Sequence, residues 1–353
     1  MRYAKVVHIV TSLDFGGVET HMLVLSNSLQ QARYEHAFCA IATGGRVFDE
    51  IARTDAPARY LGASGRIPSL ITFLRLLRHL VKERPAIVHT HGAEANFHGL
   101  AAAWLAGVPV RIGEEIGIPA HGRLARLGFR FSYLFSHSVI GISDAVRHWL
   151  VNSREVPADK AIRLYNPVRL PSARSPADIP RDVFRIGFVG RLEEVKNPLG
   201  LLEAFARLTT SGTPAQLWFI GDGSQREMLM QRARELRVDD HVFFHGFQHD
   251  PAAFIRQCSV YAQPSLSEGF GLAVVEAMGC EVPVIATAVG GLPEILEHGK
   301  TGWLLESADV QLLADALAAL GKAARQSVHE RFSPLSYVRQ LETIYSERLR
   351  RRP

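Results

Sequence analysis

The feature that most constrains this chain is an alternation of short β-branched runs and longer amphipathic stretches, run through twice. Residues 6–10 read as a buried strand, followed by the Gly16-Gly17 turn and a helix near 18–29. Residues 36–42 read as a strand and 70–82 as a helix, with Leu70, Leu74, Leu77 and Val81 at helical spacing. Strands at 86–89, 108–113 and 138–142 and a helix at 96–105 complete the first set. Alternation of this kind predicts parallel sheets built from right-handed βαβ units.

A stretch rich in Pro and Ser interrupts the pattern from Asn166 to Pro180. It has no periodicity and little apolar content, as a linker would. The alternation then restarts, with strands at 184–190, 216–220, 242–245, 260–263 and 284–286. Helices fall at 201–208, 226–236 and 272–279. The expected organisation is a first α/β domain over 1–165, a linker over 166–182 and a second α/β domain over 183–334. Two Rossmann-like parallel-sheet domains would then face a central cleft, since ligands of open α/β sheets bind beyond the carboxyl ends of the strands.

A chain of 353 residues suits two domains and needs no disulfide staples. Its three cysteines, Cys39, Cys258 and Cys280, form neither a CxxC pair nor a zinc pattern, which fits a reducing cytoplasm. No apolar run is long enough to cross a membrane. The net charge of +5 is unevenly spread: residues 1–165 hold 19 Lys+Arg against 13 Asp+Glu, and residues 166–353 hold 21 against 22. No basic run interleaves with aromatics, so no nucleic-acid partner is expected, and the arginines of the C-terminal tail read as a solvated end.

Several common chemistries lack their motifs. Gly221-Asp-Gly223 has Arg226 where a dinucleotide fingerprint needs a third Gly, and Glu294 stands where a P-loop ending in Gly299-Lys300-Thr301 needs its first. No DxD pair exists to hold a metal on a sugar nucleotide, and HExxH and GxSxG are missing.

The richest segment runs from Gln263 to Gly279. A strand ends, a turn follows, and a helix begins near Phe270–Gly271. Free amides of Gly269, Phe270, Gly271 and Leu272 would make an anion site. Glu268 lies before that site. Glu276 lies inside the helix, about 9–12 Å further along at about 1.5 Å per residue, a span that suits the sugar and the ribose of a nucleotide sugar. Gly190-Arg191 closes a strand, with Lys196 just before the next helix; two placed cations would neutralise a departing diphosphate in place of a metal. Gly16 and Gly17 allow close backbone approach to a ligand. His89-Thr-His91 ends a strand, where a His facing the cleft would bond a sugar or the acceptor. Two His two apart point the same way, but no third ligand lies nearby in the sequence, so no metal site is expected.

In combination these residues resemble the family-4 retaining glycosyltransferases of the two-domain GT-B architecture. The match also takes in Glu19, His245-Gly246-Phe247, the seven residues between Glu268 and Glu276, and Gly290-Gly-Leu-Pro-Glu294. Asn197 departs from the pattern, standing where a Gly often follows the Lys, and Glu114-Glu115 follow the strand after which many members carry a His. The resemblance implies metal-independent transfer of a sugar, with retention, from a UDP- or GDP-linked donor to a glycan or lipid-linked acceptor in polysaccharide or lipopolysaccharide biosynthesis. No cofactor is implied. Arg191 and Lys196 would hold the diphosphate and Glu276 the ribose. Glu268 with the amides of Gly269 to Leu272 would hold the donor sugar. Gly16, Gly17, Gly190 and Gly246 would lie along the donor, with His91 at the donor sugar and acceptor. A C-terminal helix over 335–349 would return to the first domain. A sugar-nucleotide epimerase on the same architecture and a non-catalytic nucleotide-sugar-binding protein are the alternatives.

The basic skew motivates one more expectation, an anionic membrane surface on the cytoplasmic side. Arg75, Arg78 and Lys82, and again Arg123, Arg126 and Arg130, recur at helical spacing beside apolar residues.

Overall fold

A computed structural model describes residues 4–14, 16–29, 34–119, 122–168, 183–210 and 214–319. The helix expected over 335–349, the basic tail, His121 and linker residues 169–182 lie outside the described residues. Two compact units divide the chain. One gathers Met1–Arg169 with Ser267–Leu272 and Gly290–Ile295; the other holds Leu170–Leu266, Ala273–Val289 and Leu296–Pro353.

In the first unit the strands are β1 (Lys5–Val10), β2 (Glu35–Ala40), β3 (Ala58–Tyr60), β4 (Ile87–His91), β5 (Val110–Glu115), β6 (Ser138–Gly141) and β7 (Ala161–Arg163). They form one parallel sheet in the order β3-β2-β1-β4-β5-β6-β7. The helices are α1 (Gly17–Ser26), α2 (Arg46–Ile51), α3 (Leu70–Glu83), α4 (Ala93–Leu105), α5 (Arg123–Tyr133) and α6 (Asp144–Asn152). Val7, Ile9 and Val88 on one face of the sheet pack with Leu76 and Leu80 of α3 and Ala95 and Ala102 of α4. Val10, Phe38 and Ala40 pack on the other face with Met22 of α1 and Val47 and Ile51 of α2.

In the second unit β8 (Phe184–Val189), β9 (Ala215–Ile220), β10 (Val242–Gly246), β11 (Val260–Gln263), β12 (Val284–Thr287) and β13 (Trp303–Leu305) order as β10-β9-β8-β11-β12-β13. Its helices include α7 (Pro198–Thr210), α8 (Arg226–Glu235) and α9 (Pro251–Ile255), followed by α10 (Leu272–Gly279), which leads out of the first unit's turn. The short α11 (Leu292–Ile295) belongs to the first unit, within its second inserted segment. Phe188, Leu201, Phe205, Leu217 and Phe219 lie at the core, each fully buried.

Both sheets thus have the Rossmann-like order, in which the chain reverses direction beside the first strand and a ligand can sit at the carboxyl edge. The elements missed in the sequence are α6, nine residues long, and a set of three to six residues each: β3, β7, β13, α2, α9 and α11. The latter are too short for either periodicity to register.

The apolar residues whose spacing marks α3 are not the ones it buries, Leu77 alone among them packing partly on the core. The stripe of Leu70, Leu74 and Val81 on α3 is 71%, 38% and 51% exposed, and the helix buries Thr72, Leu76 and Leu80 instead. Both sets have helical spacing, so periodicity identified the helix but not its inward face.

Candidate active site

In the second unit the expected donor residues gather at the carboxyl ends of β8, β9 and β10. The Gly190 amide donates to the Ile220 carbonyl (3.0 Å) and the Gly221 amide to the Gly246 carbonyl (2.8 Å). A Cβ on Gly221 would sit 2.0 Å from the Gly190 carbonyl oxygen, so only glycine lets these edges close. Beyond them Arg191 is exposed and Lys196 half-buried in a 3-10 turn, Glu194–Lys196. Three hydrogen bonds brace this loop. Glu193 accepts from the Ser224 amide (2.8 Å) and hydroxyl (2.7 Å), and the Leu266 amide donates to the Val195 carbonyl (2.8 Å). The Ser224 bonds hold the Glu193 carboxyl below its ordinary value.

Asn197 explains its departure from glycine. It adopts the left-handed conformation, φ 52° and ψ 46°, which Asn tolerates better than most residues. Its side chain also accepts from the Gly200 amide (3.2 Å), capping α7, where Pro198 occupies the first turn. His245 packs its ring between Trp218 (4.7 Å) and Phe254 (4.9 Å), which leaves its backbone and Gly246 at the strand end. Glu276 lies within α10, where burial first and Asp250 second push its carboxyl up to about 7.

The turn carrying Glu268 belongs to the first unit. Here the helix start shifts: α10 opens at Leu272, past Phe270–Gly271, so its outward amides begin at Leu272. Gly290 closes against this turn, its amide neighbour Gly291 donating to the Glu268 carbonyl (3.1 Å). A Cβ on Gly290 would fall 1.7 Å from that oxygen, and its φ of +54° also favours glycine. Glu294, three residues beyond Gly291, accepts from the Asp144 and Ala145 amides (2.8 Å each) and from the Tyr165 hydroxyl (3.1 Å). It supplies the anion that the N-terminus of α6 favours. Gly17 meets the same turn: a Cβ on it would lie 3.6 Å from Leu272 Cδ1. Gly16 is the N-cap of α1.

His91 ends β4 inside a buried network. Parallel register puts His8, His89, His91 and Glu114 on one face, with His8 opposite His89 and His91 opposite Glu114. His91 Nδ1 lies 2.9 Å from Glu114 Oε1, His91 Nε2 lies 3.0 Å from His8 Nδ1, and His8 Nε2 lies 2.9 Å from His36 Nδ1. His21 of α1 comes within 3.6 Å of Glu114 Oε1 and His89 within 3.4 Å of Oε2. Burial, then the neighbouring imidazoles, lowers His8 well below the usual histidine range; burial and His89 push His91 down to about 4. Burial opposes charge on Glu114 too, but His91 and His89 outweigh it and hold the carboxyl well below its ordinary value. His8 and His91 are thus held toward the neutral form beside a carboxyl held toward the ionised one. His91 is 1% exposed and both its nitrogens are engaged. The expectation that its imidazole faces a sugar meets a buried ring whose two nitrogens are already engaged by Glu114 and His8.

Comparison with known proteins gives this architecture its family. The model described as glycosyltransferase family 4 matches residues 15–170, and the model described as glycosyl transferases group 1 matches residues 171–333. The chain belongs to glycosyltransferase family 4. Among family-4 relatives, the capsular polysaccharide biosynthesis glycosyltransferase CapM of Staphylococcus aureus is 25% identical over 84% of this chain and 85% of its own. The N-acetyl-alpha-D-glucosaminyl L-malate synthase of Bacillus anthracis is 36% identical, and that match spans 46% of this chain and 45% of the relative. Anabaena Alr3699/HepE, solved in complex with UDP-glucose, shares the fold with a TM-score of 0.77 at 21% identity, covering 98% of this chain and 100% of that one. The lipopolysaccharide outer core galactosyltransferase WaaB has a TM-score of 0.70 at 19% identity, over 97% of this chain and 99% of its own.

The residues whose places sequence reasoning missed are His8, His21, His36, Glu114 and Glu193; Glu294 stood in a quoted motif, but nothing in it pointed to the α6 amides. Each of the five meets a partner 23 to 93 positions away, so only His8 and His36 carried any signal, as polar breaks in apolar strands.

Proposed function

We propose that this glycosyltransferase moves a sugar from a UDP- or GDP-linked donor to a glycan or lipid-linked acceptor, with retention and without an essential metal. The observation that carries the reading is the carboxyl edge of the second sheet, where Gly190, Gly221 and Gly246 close together below the Arg191–Lys196 loop. That edge offers backbone for a base and phosphates and two cations for a diphosphate.

In this mechanism the bond from the sugar C1 to the phosphate oxygen breaks and the bond from C1 to the acceptor oxygen forms on the same face. The acceptor proton passes to the departing phosphate oxygen. Arg191 and Lys196 stabilise the charge that develops there, which is where a preorganised cation lowers a barrier most. Glu276 accepts from the ribose diol, and Glu268 with the amides that follow it holds the sugar hydroxyls. Gly16 and Gly17 leave room along the phosphates. His91 is a positioning residue, acting through Glu114 and His8.

The acceptor side is read from the first unit's outer helices. Leu124, Leu127, Phe131 and Leu134 along α5 are 62–87% exposed, with Arg123, Arg126 and Arg130 on the same helix and no acidic residue in it. On α3 the exposed Leu70, Ile71 and Leu74 accompany Arg75, Arg78 and Lys82. Apolar insertion flanked by cations suits an anionic lipid surface, which supports reading the protein as a peripheral one on the inner face of the membrane. Among the described residues no helix is long and apolar enough to cross.

The experiment is a donor screen by thermal shift with UDP- and GDP-sugars, followed by NMR of the product's anomeric proton. The expected outcome is a stabilising donor, an α-linked product from an α-linked donor, and a rate that added Mg2+ or Mn2+ does not raise. Lys196→Ala and Glu276→Ala should abolish transfer in folded protein. Full activity in both, or epimerised donor formed without acceptor, overturns the reading.

A further inference from the structure

We propose that the first unit carries a binding site for a divalent transition-metal ion, built from His8 of β1 and His89 and His91 of β4. It is independent of the transferase reading, in which Arg191 and Lys196 neutralise the diphosphate.

One ring nitrogen from each of the three imidazoles lies within 4.8 Å of the others. Two nitrogens that share a zinc ion at about 2.1 Å stand about 3.4 Å apart in a tetrahedral site and at most about 4.2 Å. The set is thus within about an ångström of ligating distances, and His8 Nδ1 and His91 Nε2, at 3.0 Å, are already close enough. Imidazole donors of this kind select Zn2+, Co2+, Ni2+ or Cu2+ over Mg2+ and Ca2+, which take oxygen.

The outer partners match those of a metal site. His91 Nδ1 faces Glu114 Oε1 at 2.9 Å and its Nε2 faces His8; in the tautomer that donates to Glu114, His91 presents an Nε2 lone pair inward. A carboxylate behind a ligating histidine is the usual support for such a site, fixing tautomer and ring orientation. His8 is backed in the same way, its Nε2 facing His36 Nδ1 at 2.9 Å. In the metal-free protein His8 Nδ1 donates to His91 Nε2. When the ion enters, His8 carries its proton on Nε2, donating to His36, and His36 moves its own proton to its other nitrogen. Each ring keeps one proton, so no charge is stranded. His89 Nε2 stands 3.4 Å from Glu114 Oε2 and forms no well-aligned hydrogen bond there, so this buried nitrogen is only loosely held. Buried polar atoms of that kind are uncommon in native folds.

The test uses the full chain without a histidine tag. After dialysis against Zn2+ and then against metal-free buffer, the expected result is one Zn2+ retained per chain by elemental analysis. Mg2+ treated in the same way is lost. Loading with Co2+ should give the visible bands of nitrogen-rich coordination. His8→Gln and His89→Gln, checked for fold by circular dichroism, should each weaken Zn2+ binding by at least tenfold in titration calorimetry, whereas His21→Gln should retain it. If His8→Gln does not fold, His89→Gln alone decides. No stoichiometric Zn2+ on folded wild type, binding unchanged in the His89 variant, or loss confined to His21→Gln overturns the proposal.

Discussion

Asn197 and Glu276 show how much a single side chain carries here. Asn197 joins two requirements, a left-handed backbone and a cap for α7, that glycine meets only in part. Asn197→Gly should therefore cost a few tenths of a kcal/mol to about 1 kcal/mol, from the lost cap. Asn197→Val adds the left-handed penalty of about 1–2 kcal/mol. Urea unfolding of the two variants orders them in that way. Glu276 is held up to about 7 by burial and by Asp250. A carboxyl raised above its unfolded value stabilises the fold fully below the ordinary carboxyl range, and that stability is lost as pH rises through about 7. Relative to Glu276→Gln, wild type should lose stability between pH 5 and pH 8. The donor reading adds the opposite trend for binding: UDP affinity should rise across pH 6 to 8 as the carboxylate forms, and the Gln variant should flatten that rise. A calorimetric titration at three pH values checks it.

The decisive facts about the elements concern which way they face and what meets their ends. α6 has two caps on its N-terminus: Ser143, whose hydroxyl accepts from the Val146 amide at 3.1 Å, and Glu294, reaching from the segment that ends in α11. Charge at a helix N-terminus with two amide bonds should make Glu294→Gln about 1 kcal/mol less stable, and Glu294→Ala more so, measured by denaturant midpoint. For α5 the burial pattern gives a separation of stability from function. Leu127 and Phe131 are 63% and 62% exposed, so Leu127→Ser with Phe131→Ser should leave the midpoint within about 0.5 kcal/mol. The same pair of changes should abolish flotation with vesicles containing anionic lipid. Helical spacing alone could not choose the inward face of α3 or α5. Each carries two apolar stripes, and only contact with α4 and the sheet decides between them.

Charge is unevenly spread over the whole molecule. The first 165 residues carry the basic excess and the outward amphipathic helices, while the donor motifs lie mostly in a half with slightly more acidic than basic residues. Vesicle binding through many exposed cations should fall steeply between about 0.01 M and 0.15 M salt, as the screening length shrinks from about 30 Å to about 8 Å. UDP binding by two placed cations and backbone groups should weaken far less over that range, and parallel titrations separate the two. By itself the sequence determined the two alternating sets, the parallel sheets they form and the local motifs at the strand ends of the second sheet. Gly190, Arg191, Lys196 and Glu276 stand in local motifs whose spacing follows from strand, turn and helix geometry. Tertiary structure alone decided the rest. His8, His36, His89, His91 and Glu114 come from four strands, and only the parallel register sets them on one face around a common carboxylate. Glu294 likewise meets α6 across a separation of 150 positions. Periodicity is a property of one element, whereas register and docking are relations between elements, so the buried histidine cluster had no signature until the strands were laid side by side.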